Sequence, residues 1–294
     1  MKPIDLDFEF VEEHKNRFPI TELIGIAQNL SRAGYYKRLK KDPVQSRMER
    51  DQQLLKQMLS LYITHGGNLG HERFKLELKN TYTHIVSVKR IRRMREMYRM
   101  PLKTARRKPL PAGSGHAEIG NLLNRNFKAK RPGLKFSVDI SYLEVKRPFR
   151  YFLYLCAILD LYNNEIVAYT IHDTLDVDFV LAAVRQLEAR AFEKGALIHS
   201  DQGIQFTSHS YQGLVKKLEM TQSMSRRGNC WDNAPIESFF GKLKTEMPGF
   251  SVPETASEMR SAVAEYITYY NEKRPQLKLG TSPITFRKSQ ELAA

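Results

Sequence analysis

The sequence is poor in the residues that stabilise small secreted proteins or anchor membrane proteins. Cys156 and Cys230 are the only cysteines among its 294 residues, too few for a disulfide framework, which favours a reducing compartment. The longest apolar run, 151–159, is far shorter than the roughly 20 residues that a membrane-spanning helix needs. The first residues lack the basic start and the apolar run of a signal peptide. We therefore expect a cytoplasmic protein with no membrane segment.

Acidic residues are scarce relative to basic ones. The chain has 32 Asp and Glu against 47 Lys and Arg, a formal net charge of +15, and 41% of its residues are hydrophobic. That hydrophobic content excludes a disordered tail, and the length suits one large domain with one or two small ones. The positive charge indicates a polyanionic partner, and nucleic acid is the commonest one. Basic tails or lipid surfaces would give the same net charge.

Residues 1–45 are predicted to contain a helix-turn-helix. Five acids between residues 5 and 13 suggest a solvated segment ahead of it. From Thr21 the apolar residues fall on one helical stripe, and Ser31 is a suitable N-cap for a second helix over 32–40. The alternative is an ordinary helical hairpin, because this pattern is weak by itself.

A second, basic helical region is predicted over 46–100. It contains a helix from residue 71 and a last helix over 88–98 that Ser87 can cap. Between residues 89 and 108, ten side chains are basic and only Glu96 is acidic. We expect Ile91, Met94 and Met97 to face the core, and Arg92, Arg93, Arg95 and Arg99 to face the solvent. Like charges at helical spacing repel one another, and a phosphate backbone would relieve that repulsion. The predicted DNA contacts are Lys89, Arg90, Arg92 and Arg93.

The proline- and glycine-rich stretch 101–130 is predicted to be a linker. Behind it, residues 131–294 alternate strand and helix signals in the order β-β-β-α-β-α-β-α. Three antiparallel strands followed by strands reached through helices predict a mixed sheet with helices on its faces. The fold class is therefore α/β, preceded by an all-α region.

Three acids stand where a sheet edge or helix start would project them away from the apolar face. Asp139 lies on the polar side of the first strand, Asp201 ends the fourth strand before Gly203, and Glu237 is in the first turn of a helix. Three carboxylates without His or Cys partners suit a hard cation such as Mg²⁺, with Mn²⁺ as a substitute. Two ions in one site could activate one oxygen and stabilise another. Each acid also has a structural alternative. Asp139 could cap a strand end, Asp201 could form an Asx turn, and Glu237 could complement the helix dipole.

Basic residues flank these acids in the sequence. Lys244 lies two turns after Glu237 on the same helix face and could bind a phosphate. The loop before that helix is basic through Arg226 and Arg227 and holds the only tryptophan, Trp231. Trp231 is either a core anchor or part of a loop that DNA orders.

Two segments resemble a known family: HSDQG at 199–203 and RGNCWDNAPIESFF at 227–240. They are similar to the catalytic segments of bacterial insertion-sequence transposases of the IS-three group, whose core is retroviral-integrase-like. The 35 residues between Asp201 and Glu237 match the family's D,D(35)E spacing. YNEKRP at 270–275, GTSP at 280–283 and GHER at 70–73 extend the resemblance over most of residues 20–290.

The resemblance implies an RNase H-like fold, with a five-stranded mixed sheet and flanking helices, in which Asp139, Asp201 and Glu237 bind metal and Lys244 contacts donor DNA. It also implies a second-reading-frame product that works with the element's first-frame protein, as a homo-oligomer on DNA in the bacterial nucleoid. Phe136 and Val138 stand where the family often has Trp and Thr, and Gln276 where His is common.

These features together predict a DDE transposase that performs Mg²⁺-dependent strand cleavage and strand transfer at insertion-sequence ends, binding terminal inverted repeats and target DNA. The two alternatives are a nuclease of the same fold that never joins DNA, and a DNA-binding regulator without catalysis. Two helix-turn-helix candidates argue against the nuclease, and three acids at matching positions argue against the regulator.

Overall fold

The computed structural model describes residues 3–39, 44–102, 119–190, 192–226 and 230–292. The chain forms two compact units, Met1–Met58 and Leu59–Ala294. Within the described ranges, no helix is both long and apolar enough to cross a membrane.

The first unit contains three short helices: α1 (Pro3–His14), α2 (Ile20–Ile26) and α3 (Arg32–Leu39). Their core is Val11, Leu23, Leu30 and Tyr35. Ser31 caps α3 by accepting the Gly34 N–H at 3.0 Å, as predicted. The five acids over 5–13 are half-buried or exposed, which agrees with a solvated acidic face, but the apolar side chains between them, including Val11, pack in the core of this unit. Whether α2 and α3 bind DNA stays a prediction.

The second helical region comprises α4 (Val44–Thr64), α5 (His71–Tyr82) and α6 (Val88–Met97), and Ser87 caps α6 as predicted. Two side-chain assignments on α6 are wrong. Met97 is 61% exposed, whereas Arg95 is buried. Arg95 lies one turn after Ile91 and so shares its inward face. Its guanidinium donates to the Leu69 and Met100 carbonyls and lies over the Phe74 ring.

A five-stranded mixed sheet forms the centre of the second unit. Its strands are β1 (Lys135–Val145), β2 (Tyr151–Asp160), β3 (Ile166–His172), β4 (Leu197–Ser200) and β5 (Thr221–Met224). They lie in the order β3-β2-β1-β4-β5. Strand β1 pairs antiparallel with β2, and β2 with β3, whereas β1–β4 and β4–β5 are parallel. This confirms the predicted sheet.

Helices cover both faces of the sheet. One face packs against residues of the helices Ala234–Glu246 and Ala256–Glu272, and the other against residues of the helices Asp178–Arg185 and His209–Lys217. The helix that begins at Asp178 ends at Arg185 and continues directly into a 3₁₀ turn, Gln186–Ala189. The remaining helices are α7 (Asp178–Arg185), α8 (Ile204–Thr207), α9 (His209–Lys217), α10 (Ala234–Glu246), α11 (Ala256–Glu272) and α12 (Pro283–Glu291).

Glu246, the last residue of α10, connects several parts of the second unit. Its carboxylate accepts two 2.7 Å hydrogen bonds from buried Arg274 and one of 3.3 Å from Arg73. Its carbonyl accepts from Asn68 at 2.9 Å. Residues 59–102 therefore pack in the same compact unit as the sheet.

The functional division into 1–45, 46–100, 101–130 and 131–294 stays a prediction, and residues 103–118 of the linker lie outside the described ranges.

Candidate active site

Strand pairing brings the first two acids side by side. Ser137 of β1 is the parallel partner of His199 of β4. Asp139, within β1, and Asp201, directly after the last residue of β4, each follow two residues later, so they lie at the same level on the two neighbouring strands. Asp139 shares its sheet face with Leu143, whose side chain packs in the core beside α10. The parallel register therefore places the two acids beside each other at the edge of the sheet where β4 ends and β1 continues.

Helix α10 brings the third acid to this edge. Asn233 precedes the helix, Pro235 occupies its first turn, and Glu237 follows in that turn. The apolar side of α10, formed by Ile236, Phe239 and Leu243, packs on the sheet. Asp201 and Glu237 are exposed and Asp139 is half-buried, so solvent reaches the site.

The acids interact electrostatically. The pKa of Asp139 is raised well above its usual value, mainly because surrounding protein displaces water from its carboxylate, although part of the residue reaches solvent. The negative charges of Asp201 and Glu237 raise this pKa further, whereas the Ile140 N–H and the Lys244 ammonium oppose the shift. The structure thus brings Asp139, Asp201, Glu237 and Lys244 together.

The donor set suits a hard divalent cation. Among the described contacts, Asp139 accepts one hydrogen bond, from its neighbour Ile140 N–H, and Asp201 accepts one, from Gly203 N–H. Crowded carboxylates with so few donors repel one another, and a cation with oxygen ligands would neutralise that repulsion. No three His, Cys, Asp or Glu side chains of the described residues already form a group that could hold one metal ion.

The integrase core domain family matches residues 129–230, and a second integrase core domain family matches residues 237–292. "Putative transposase InsK for insertion sequence element IS150" of Escherichia coli K12 is 34% identical over 287 residues, covering 94% of this chain and 96% of that protein. The chain belongs to the insertion-sequence transposases. The transposase for element IS904 of Lactococcus lactis is 30% identical over 84% of this chain and 97% of its own length.

Two solved integrase cores are also similar to this transposase. The catalytic core domain of BIV integrase is 17% identical, covers 55% of this chain and 97% of its own, and gives a TM-score of 0.43. The HTLV-2 integrase core, solved in complex with magnesium, is 13% identical over 54% of this chain and 99% of its own, with a TM-score of 0.44. The resemblance seen in the sequence is confirmed by the matching families and relatives: the protein is a transposase with an integrase-type core.

Buried polar residues that were not singled out in the sequence join the strands and the helix that carry the acids of the transposase. Ser137 donates to Asn233 Oδ1 at 2.6 Å, and His199 bonds both Ser223 and Ser225. The loss of solvation lowers the pKa of His199 to about 4, which keeps the imidazole neutral at pH 7. Ser137, His199 and Asn233 each stand within four residues of one of the three acids, and Ser137 and His199 are polar residues on strands of the sheet.

Asp232 anchors the turn before α10. Its side chain is fully buried and accepts from Arg226, Arg125 and Asn121 at 2.8–2.9 Å. Hydrogen bonds from Arg226 and Arg125 hold the pKa of Asp232 well below its usual range. Arg226, predicted as a DNA contact, therefore has a structural partner in Asp232.

The other predicted DNA contacts occupy different settings. Lys89, Arg92 and Arg93 are exposed on α6, and Arg90 is half-buried. Lys244 is half-buried at the acid cluster, and the loss of solvation lowers its pKa while the charge of Asp139 opposes this. Arg227 lies outside the described residues. DNA binding by each stays a prediction.

Gly203 is required by the room around Asp201. A Cβ at this position would lie 3.0 Å from Asp201 Oδ1 and 3.3 Å from the Phe206 ring. The glycine also donates its N–H to that same oxygen at 2.9 Å. A side chain at 203 would therefore push the Asp201 carboxylate by a few tenths of an ångström.

Proposed function

We propose that this transposase cuts DNA at the ends of its insertion sequence and joins the resulting 3′-hydroxyl to target DNA, with Asp139, Asp201 and Glu237 holding Mg²⁺. The observation that carries the proposal is the repulsion that the charges of Asp201 and Glu237 exert on Asp139 at one open edge of the sheet. Among the described contacts, Asp139 and Asp201 each accept one hydrogen bond. A cation bound there would turn that repulsion into coordination. The number of ions is proposed as two, and Mn²⁺ as a substitute.

When bound, paired Mg²⁺ ions activate an attacking oxygen and stabilise a leaving one. Asp139, Asp201 and Glu237 would hold these ions. Lys244 stands beside Asp139, and its partly desolvated ammonium would bind a phosphate oxygen more strongly than an exposed one would. No covalent protein–DNA bond is needed.

The remaining parts of the proposal concern partners. The exposed basic side of α6, formed by Lys89, Arg92 and Arg93, would bind the phosphate backbone of the terminal repeats. We also propose that the chain works in the bacterial cytoplasm, with the first-frame protein of its element and as a homo-oligomer on DNA.

The test uses the full chain, Mg²⁺ or Mn²⁺, and a labelled duplex carrying the terminal inverted repeat that flanks the coding sequence. Asp201→Asn should abolish both cut and joined products while leaving duplex binding intact. Asp178→Asn, which changes an exposed acid at the start of α7, is the matched control and should keep activity. Unchanged products from Asp201→Asn would refute the assignment.

The same assay separates the alternatives. Cut products without joined products, at every target tested, would support a nuclease of this fold. Binding of the terminal repeat with no metal-dependent product would support a regulator.

A further inference from the structure

The only tryptophan of the chain is exposed beside the acid cluster. Trp231 is 69% exposed and lies in a 3₁₀ turn, Cys230–Asn233, directly before α10. Tryptophan is highly buried on average, since its indole is the largest apolar surface a side chain offers. The Trp231 side chain makes no ring contact or hydrogen bond with another of the described residues.

The exposure of Trp231 does not come from a loosely held turn. The next residue, Asp232, is fully buried and is held by Arg226, Arg125 and Asn121. Asn233 is also buried and accepts from Ser137 of β1 at 2.6 Å. Two consecutive anchored residues therefore fix the backbone that carries the indole, so the ring is presented to solvent from a rigid base.

The same anchors place this turn against the active site. Asn233 bonds Ser137, which lies two residues before Asp139 on β1. Glu237 follows Asn233 by one helical turn on α10. The side chains of Arg226 and Arg125, which hold Asp232, are about half exposed, so the turn also carries positive charge at its surface.

We propose that the Trp231 indole stacks on a nucleobase of the DNA end held at Asp139, Asp201 and Glu237. The inference deepens the proposed function and rests on it. An exposed aromatic ring on a rigid, cationic base is what single-stranded or unpaired nucleic acid binds, because every base offers a π-face to stack on. Trp231 would fix the terminal nucleotide relative to the acids.

Because the chain has a single tryptophan, fluorescence excited at wavelengths that tyrosine does not absorb reports on this residue alone. The probe is the terminal-repeat duplex, added without divalent metal to the full-length Asp201→Asn variant. Stacking predicts that duplex binding quenches the emission. It also predicts that an abasic site at one terminal position removes the quenching while binding, followed by anisotropy, persists.

Quenching unchanged by abasic sites at every terminal position, or absent on binding, would overturn the inference. If the emission changes with protein concentration in the absence of DNA, Trp231 contacts a second copy of the chain, and this result would also overturn the inference.

Activity provides the second readout. Trp231→Ala should lower strand cleavage by about 10-fold, and Trp231→Phe should keep most of it, because phenylalanine can still stack. Phe149→Ala is the matched control: Phe149 is also 69% exposed, on the turn between β1 and β2, and its removal should leave cleavage unchanged. Equal cleavage by Trp231→Ala and the parent would refute the role of Trp231 and would leave the proposed function standing. Cleavage that survives Asp201→Asn would instead refute the proposed function.

Discussion

Ser137 and Asn233 are joined by a 2.6 Å hydrogen bond, and both residues are buried. The bond ties strand β1 to the start of helix α10. Asp139 lies two residues further along β1 on the same face, and Glu237 lies one turn further along α10. The hydrogen bond therefore sets the spacing between the two elements that carry these acids.

Ser137→Ala should destabilise the fold and weaken metal-dependent cleavage. The substitution leaves the buried Asn233 amide without its donor, which costs about 1–3 kcal/mol of unfolding free energy. Urea unfolding measures this cost, and the Mg²⁺ concentration at half-maximal cleavage should rise. Ser141→Ala, at a buried serine of the same strand for which no hydrogen bond is recorded among the described residues, is the control and should cost less. Equal losses from the two variants would contradict the positioning role.

Asp139→Asn should abolish cleavage yet stabilise the metal-free protein at neutral pH. The pKa of Asp139 is raised in the folded state, so its ionised form opposes folding. The favourable contribution of the protonated acid is present below its usual pKa of 3.8 and is lost as pH rises through the raised value. The stability difference between variant and parent should therefore grow with pH in chelator.

Metal should reverse that ranking. Mg²⁺ at 100 times its dissociation constant would add about 2.7 kcal/mol to the unfolding free energy of the parent alone. Thermal unfolding with chelator and with Mg²⁺ measures both effects. A parent that Mg²⁺ does not stabilise would count against the metal site.

Glu246→Gln should be among the most damaging single changes in the second unit. It leaves the guanidinium of Arg274 buried without a counter-charge, at a cost of about 3–5 kcal/mol. The control is Glu254→Gln, whose ion pair with Arg147 is exposed and should be worth less than about 1 kcal/mol. Denaturant unfolding compares the two, and similar costs would disprove the ranking.

The Glu246 pair should also make stability fall in acid. Burial alone would raise the pKa of Glu246, but hydrogen bonds and charge from Arg274 outweigh it and hold the pKa below its usual 4.5. A lowered pKa contributes stability above 4.5 that is lost as pH falls through the folded-state value. Glu246→Gln should remove this part of the acid sensitivity.

Gly249→Ala should destabilise the protein, whereas Gly213→Ala should not. A Cβ at 249 would lie 2.5 Å from the Gly66 carbonyl oxygen and 2.6 Å from Asn68 Nδ2, so backbone must move. A Cβ at 213, inside α9, meets nothing within 4 Å, and alanine favours helix by up to about 1 kcal/mol over glycine. Thermal melts of the two variants should shift in opposite directions.

Neutralising α6 should change the salt dependence of DNA binding. If Arg92 contacts a phosphate, Arg92→Gln should reduce the slope of log affinity against log salt by about 0.9. Anisotropy of a labelled duplex at several salt concentrations measures it. Lys194→Gln, which changes an exposed residue paired with Glu219, is the control and should leave the slope unchanged.

Local patterns were enough to predict most elements. The alternation in β1, the apolar run of β2 and the serine caps at Ser31 and Ser87 depend on neighbours a few residues away, and the structure contains each of them. The burial of the Arg95 side chain was not predicted, because the hydrophobic periodicity of the helix does not reveal its partners, the carbonyls of Leu69 and Met100.

The sequence by itself determined which strands and helices form, and the chemistry of Asp139, Asp201 and Glu237, because both depend on residue type and short spacing. Only the tertiary structure decided that these acids lie close enough for the charges of Asp201 and Glu237 to act on Asp139. Their proximity follows from the parallel pairing of β1 with β4 and from the Ser137–Asn233 bond to α10, contacts between residues more than 60 positions apart. Such contacts form where burial of the whole core fixes the register, and no local pattern contains that information.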